Sequence, residues 1–203
     1  MAVSPKQRAA LNNALADCDV NARRSQVFAA FDAALEAVNW NRSALVDSYA
    51  ADRDLAFLQE NAGVDDVSVL ENWDPHAEDD RRLSAVANRT VHLFEMTVSA
   101  EELAELASLD RRDVQRLVAD DRLQEIDLAR PRYPEWQVGA QGLLPGLAVL
   151  VPVIHRCGLS PDSIAAFMVL PNDELGGRAP VAHLEAGGDA IDVAALVGAL
   201  ARI

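Results

Sequence analysis

Two helix starts in close succession constrain this chain more than any other feature. Ser99 is followed three residues on by Glu102, the spacing at which a serine side chain caps the N–H of the third helical residue while a glutamate reaches back to the cap. Asp110 stands in the same relation to Asp113. Ser108-Leu109-Asp110 leaves room only for a tight turn, so the spacing predicts two short helices, over 99–108 and 110–119, rather than one long one. Leu103, Leu106 and Ala107 give the first helix one apolar face. Val114, Leu117 and Val118 turn the second helix inward, which leaves Arg111, Arg112, Gln115 and Arg116 on its opposite, solvent-facing surface.

Arginine and glutamine are the side chains that read guanine and adenine edges with paired hydrogen bonds, and a helix fits the major groove. Beyond the second helix, Asp120-Asp121-Arg122-Leu123 leads into an extended stretch to Ile126 and Leu128. The chain then returns through Arg130-Pro131-Arg132-Tyr133-Pro134-Glu135-Trp136-Gln137. This predicts a β-hairpin within 123–134, a small wing with Arg130 and Arg132 near its tip. The candidate DNA-contacting residues are therefore Arg111, Arg112, Gln115, Arg116, Arg130 and Arg132. The segment also holds Glu101, Glu102, Glu105, Asp110, Asp113, Asp120, Asp121, Glu125, Asp127 and Glu135. These acids outnumber its arginines, so a small subdomain that packs against the rest and touches no DNA stands beside the first reading.

The run from Thr97 to Gln137 resembles the excisionase-type, MerR-like winged helix domain. The matching residues are Thr97, Glu102-Leu103-Ala104-Glu105-Leu106, Val114, Arg116-Leu117-Val118, Asp120, Arg122-Leu123 and Arg132-Tyr133-Pro134-Glu135-Trp136-Gln137. The resemblance implies a winged helix-turn-helix. One departure matters, because Asp121 stands where glycine is usual. Glycine takes a positive φ at no steric cost, whereas aspartate takes it less well and adds a negative charge beside the expected DNA face.

Before this segment, residues 5–62 read as helices. Pro5 suits a first turn, and Val27, Phe28, Phe31, Leu35 and Val38 recur at helical spacing, as do Leu45, Tyr49, Leu55 and Leu58. Ser43 is placed to cap the latter helix and Asn61-Ala62-Gly63 to stop it. Trp73-Asp74-Pro75 breaks any helix. The charge run Glu78-Asp79-Asp80-Arg81-Arg82 reads as the solvated face of a helix reaching Phe94. A face such as Phe28-Phe31-Leu35 packs on the rest of the chain or mediates dimerisation.

After it, Phe167, Pro171, Leu175, Gly177, Pro180, Leu184 and Gly187 form a spaced pattern. Pro171 and Asn172 end one helix, Gly176-Gly177 turns the chain, Pro180 opens a short helix and Gly187-Gly188 closes it. Asp189 then opens a last helix with Ile191, Val193, Leu196, Val197 and Leu200, apolar nearly all round and so expected to be buried. Residues 143–203 resemble the C-terminal domain of the Xre/MbcA/ParS-type antitoxins. That resemblance implies a small helical bundle that self-associates and neutralises a RES-domain toxin. No toxin-blocking residue transfers with it.

Composition narrows the function. The chain has 203 residues and a net charge of −14, with a sequence pI near 4.6. So acidic a chain is repelled by phosphate at long range, and any nucleic-acid contact must come from a local basic face. Cys18 and Cys157 lack metal-ligand spacing and read as free thiols of a reducing, cytoplasmic protein. His76, His92, His155 and His183 share no ligand spacing, and there is no nucleophile elbow, phosphate loop or zinc pattern. Leu143 to Ile154, the longest apolar run, is too short to span a bilayer. The expectation is a mainly α protein, not an enzyme and with no cofactor. A helical N-terminal unit (1–96) precedes a winged helix-turn-helix with a β-hairpin (97–138) and an antitoxin-like C-terminal helical domain (139–203). Its function is read as that of a homo-oligomeric DNA-binding regulator that also holds a protein partner such as a RES-type toxin. The alternative is an acidic protein-interaction module that does not bind DNA.

Overall fold

The computed structural model describes residues 5–16, 24–37 and 75–202. The chain is mainly α-helical with a small antiparallel sheet, and it divides between Thr90 and Val91 into two compact units. The helix read over Leu45–Leu58 with its Ser43 cap and Asn61-Ala62-Gly63 stop lies outside the described residues, as do Trp73, Asp74 and Cys18.

In the first unit, α1 (Pro5–Ala14) begins at a proline, whose missing N–H costs nothing in a first turn. It buries Leu11. Helix α2 (Arg24–Ala37) buries Val27, Ala30, Phe31 and Leu35 along one stripe, so the face read as a packing or dimerising surface is covered at Phe31 and Leu35, with Phe28 half-buried. Arg24 donates to Asn12 Oδ1 at 2.5 Å, and Lys6 pairs with Asp80 at 2.5 Å. Helix α3 (Pro75–Glu95), within which the division falls, carries the charge run on a solvated face. Glu78 there gathers Arg81 at 3.2 Å and Arg82 at 2.9 Å.

The second unit opens with β1 (Thr97–Val98). Helix α4 (Ala100–Ala107) starts at a complete capping box: Ser99 N–H donates to Glu102 Oε2 at 2.7 Å, and Glu102 N–H to Ser99 Oγ at 3.2 Å. It ends at Ser108, whose φ of 54° is left-handed. After this tight turn Asp110 Oδ1 accepts from the backbones of Arg112 and Asp113, at 2.7 and 2.8 Å, and starts α5 (Arg111–Ala119). Leu103, Ala107 and Val114 are buried between the helices and the rest of the unit. Leu106, expected on the same apolar face, is 51% exposed. Leu103 and Ala107, four apart, define the inner stripe, and Leu106 falls to its outer side.

The chain leaves α5 through Asp121 at φ 56°, with Arg122 N–H returning to Leu117 O at 2.8 Å. The glycine-like conformation anticipated at this position is thus adopted by an aspartate. Strands β2 (Ile126–Asp127) and β3 (Pro131–Pro134) form the hairpin, paired Ile126 with Arg132 and Asp127 with Pro131. Strand β1 lies against the other edge of β3, with Thr97 opposite Pro134 and Val98 opposite Tyr133, giving the antiparallel order β1-β3-β2. A 3-10 turn (Glu135–Gln137) and a second small hairpin, β4 (Val138–Gly139) with β5 (Gly142–Leu143), lead onward. Gln137 is fully buried. Its amide accepts from Gln124 N–H at 2.7 Å and donates to Gln124 O at 2.9 Å, standing in for a strand partner.

Helix α6 (Leu147–Cys157) packs along the last helix, α9 (Ala190–Leu200), with Leu150, Val151, Val193 and Val197 fully buried. Gly146 caps α6 at φ 84°, and a Cβ there would sit 2.4 Å from the Cβ of Ala190, so the approach admits only glycine. Between these helices lie α7 (Pro161–Val169), which ends ahead of Pro171, a 3-10 turn (Asp173–Leu175) and α8 (Pro180–Glu185). Gly176 and Gly177 turn the chain and Asp189 caps α9, as the punctuation predicts. Helix α9 is not buried all round, since Ile191 is 63% exposed. The segments 97–138 and 139–203, expected as separate units, share one hydrophobic core running from Val98 to Val197. No helix among the described residues is long and apolar enough to cross a membrane.

Candidate nucleic-acid interface

The exposed surface of α5 follows from its inward residues. With Val114 fully buried and Leu117 and Val118 half-buried, the helical period puts Arg111, Arg112, Gln115 and Arg116 outside, and all four are exposed. Arg111 and Arg112 occupy the first and second positions of the helix. Unpaired backbone N–H groups make that end positive, and acidic residues are the stabilising choice there. Two arginines in this place run against the helix's own stability, although the Asp110 cap and Asp113 offset part of the cost.

The arginines are not equally free. Arg111 Nη1 lies 3.2 Å from Glu101 Oε1 on α4, and Arg116 is ion-paired with Asp113 one turn back. Arg112 and Gln115 make no such contact among the described residues. Arg130 is exposed at the tip of the hairpin, between Ala129, held at φ 61°, and Pro131.

Arg132, expected beside Arg130 at that tip, is instead buried, with 2% of its surface exposed. The strand alternation that turns Pro131 outward turns Arg132 in. Its guanidinium lies 4.4 Å from the centre of the Phe94 ring. Its Nε donates to Thr97 Oγ1 at 2.8 Å, and Nη2 donates to the carbonyls of Thr97 and Phe94. It ties the hairpin to β1 and the end of α3 and presents nothing to a duplex. Of the candidate residues, Arg111, Arg112, Gln115 and Arg116 on α5 and Arg130 on the hairpin are therefore the exposed ones.

Two neighbours of this surface had no signal in the sequence. Asp121 Oδ1 lies 2.6 Å from His155 Nδ1 on α6, so the aspartate that replaces glycine has a partner of its own. Tyr133, buried on β3, donates to Glu125 Oε2 at 2.9 Å. Burial, and then that carboxylate, push its phenol well above the ordinary tyrosine value. Among the described residues His155 makes its hydrogen bond to Asp121 and none to Cys157, two residues on. Among the described residues no group of histidines, cysteines and carboxylates could hold a metal ion.

No family model, curated protein or solved structure matches this chain.

Proposed function

We propose that this chain is a DNA-binding regulatory protein of antitoxin-like type. Helices α4 and α5 act as a helix-turn-helix with the β2-β3 hairpin as its wing, and α5 enters a major groove. The observation that carries the proposal is the pair Arg111 and Arg112 at the positive end of α5, where folding alone favours acids. The sheet order β1-β3-β2 supports it as well, because it sets the exposed Arg130 on a hairpin following the helix that would read the bases. The C-terminal helices, by their resemblance to the antitoxin domain, hold a protein partner such as a RES-type toxin and a second copy of this chain.

The acidic interaction module remains the second reading. What favours it is that Arg111 and Arg116 are already paired with Glu101 and Asp113, in a chain of net charge −14. Fluorescence anisotropy with duplex DNA at low and moderate salt separates the two. Under the first reading the chain binds with a steep salt dependence, and Arg112→Ala with Gln115→Ala weakens it severalfold or more, since a base-reading arginine is worth roughly 1–3 kcal/mol. Binding that ignores the double substitution removes α5 as the reader. No binding to any duplex at low salt moves the function to the partner-binding module.

A further inference from the structure

A cleft of about 450 Å³ opens within the second unit, away from the α5 surface. The last turn of α3, the Glu135–Gln137 turn, β4, α7 and α8 enclose it. Met96, Val138, Ala165 and Val181 give it an apolar wall, and Val169, 58% exposed, stands at its rim. A cleft of this size and character is of the kind that takes one drug-sized molecule.

Its fixed charges are carboxylates. Glu135 and Asp162 line it, and among the described residues no lysine or arginine does; His92 is the remaining titratable group. Glu135 N–H donates to Met96 O at 3.0 Å, which fixes the carboxylate's backbone beside the apolar wall. Trp136 also lines the cleft. It is 94% buried (6% exposed), and its indole N–H has no acceptor among the described residues.

We infer that this cleft is a binding site for a small hydrophobic organic cation. An apolar wall with two carboxylates, one histidine and no lysine or arginine favours a flat or branched apolar body carrying positive charge, and it disfavours an anion of the same shape. The inference does not depend on DNA binding by α5.

Two dyes that brighten when held in an apolar site test it: thioflavin T, a cation, and 8-anilinonaphthalene-1-sulfonate, an anion. The full chain binds thioflavin T saturably, at one site per chain, and more tightly than the anion. Ala166→Trp leaves the net charge unchanged and fills the cleft from the exposed face of α7, so it reduces cation binding by tenfold or more, on the order expected when a ligand-sized void is lost. Glu135→Gln weakens it about fivefold, as for an exposed charge pair. Should Ala166→Trp disturb folding, Val169→Lys adds a positive charge at an exposed rim position and gives the same loss while improving anion binding. Absence of saturable thioflavin T binding overturns the inference. So does equal or tighter binding of the anion by the unaltered chain. Cation binding untouched by both α7 substitutions also overturns it, since it would be attraction to an acidic surface elsewhere.

Discussion

Arg132 reaches back to Thr97, 35 residues earlier in the chain, and donates to its hydroxyl at 2.8 Å and to its carbonyl from the same guanidinium. Thr97 Oγ1 in turn donates to Leu93 O at 2.5 Å, so the chain of hydrogen bonds runs from the hairpin into the end of α3. An arginine can be buried here because its donors meet oxygens held by backbone, and because Phe94 covers its face.

Replacing Arg132 by alanine removes its donors to the buried Thr97 carbonyl and hydroxyl, the hydroxyl keeping its bond to Leu93 O. The expected loss is roughly 2–4 kcal/mol in urea unfolding, with lysine recovering less than half, because an ammonium lacks the planar fork. If Arg132 instead served DNA, Arg132→Ala would flatten the salt dependence of binding and leave unfolding unchanged.

Asp121 holds a left-handed conformation and an exposed contact to His155. Asp121→Gly relieves the backbone and loses the contact. The two effects, each about 1 kcal/mol or less, nearly cancel. Asp121→Ala loses the contact and keeps the backbone cost, so its melting temperature falls below that of the glycine variant. Equal melting of the two variants would show that the φ at this position carries no cost.

The Tyr133 phenol has its proton affinity raised by folding, from an unfolded value of 10.0. The folded chain therefore binds this proton more tightly than the unfolded chain does. Its contribution to stability is complete below pH 10.0 and is lost as the pH rises above that value toward the folded one. Guanidinium unfolding at pH 9 and 11 should show a larger drop for the unaltered chain than for Tyr133→Phe.

Gly146→Ala forces a Cβ to within 2.4 Å of the Ala190 Cβ at a φ of 84°. Overpacking and backbone strain together cost about 2–4 kcal/mol. The relaxed double variant Gly146→Ala with Ala190→Gly should recover the packing part and leave the backbone part. Calorimetry on the three chains separates the two.

Local chemistry made part of this fold legible. Ser99, Asp110 and Asp189 are caps because a short oxygen-bearing side chain precedes a helical period, and each accepts the backbone bond its position implies. The α5 surface followed from the same period. What escaped depended on contacts between distant segments. Arg132 sits within β3 opposite Ile126 and turns inward, whereas Arg130 lies in the turn just before the strand, and periodicity cannot separate two arginines two residues apart. Leu106 escaped because a helix as short as α4 spreads apolar residues too widely around its axis for periodicity to choose among them. The Asp121–His155 contact and the cleft beside Trp136 join segments that share no local pattern.

The core that runs without a break from Val98 and Leu103 through Trp136 to Ile164 and Val197 makes two expected modules one object. Recombination that exchanged residues 97–138 for another segment would cut through a packed interior and expose part of it to water. On the proposed DNA-binding reading, specificity is not exchanged by shuffling this segment. On that reading it changes by substitution on the outer face of α5, one side chain at a time.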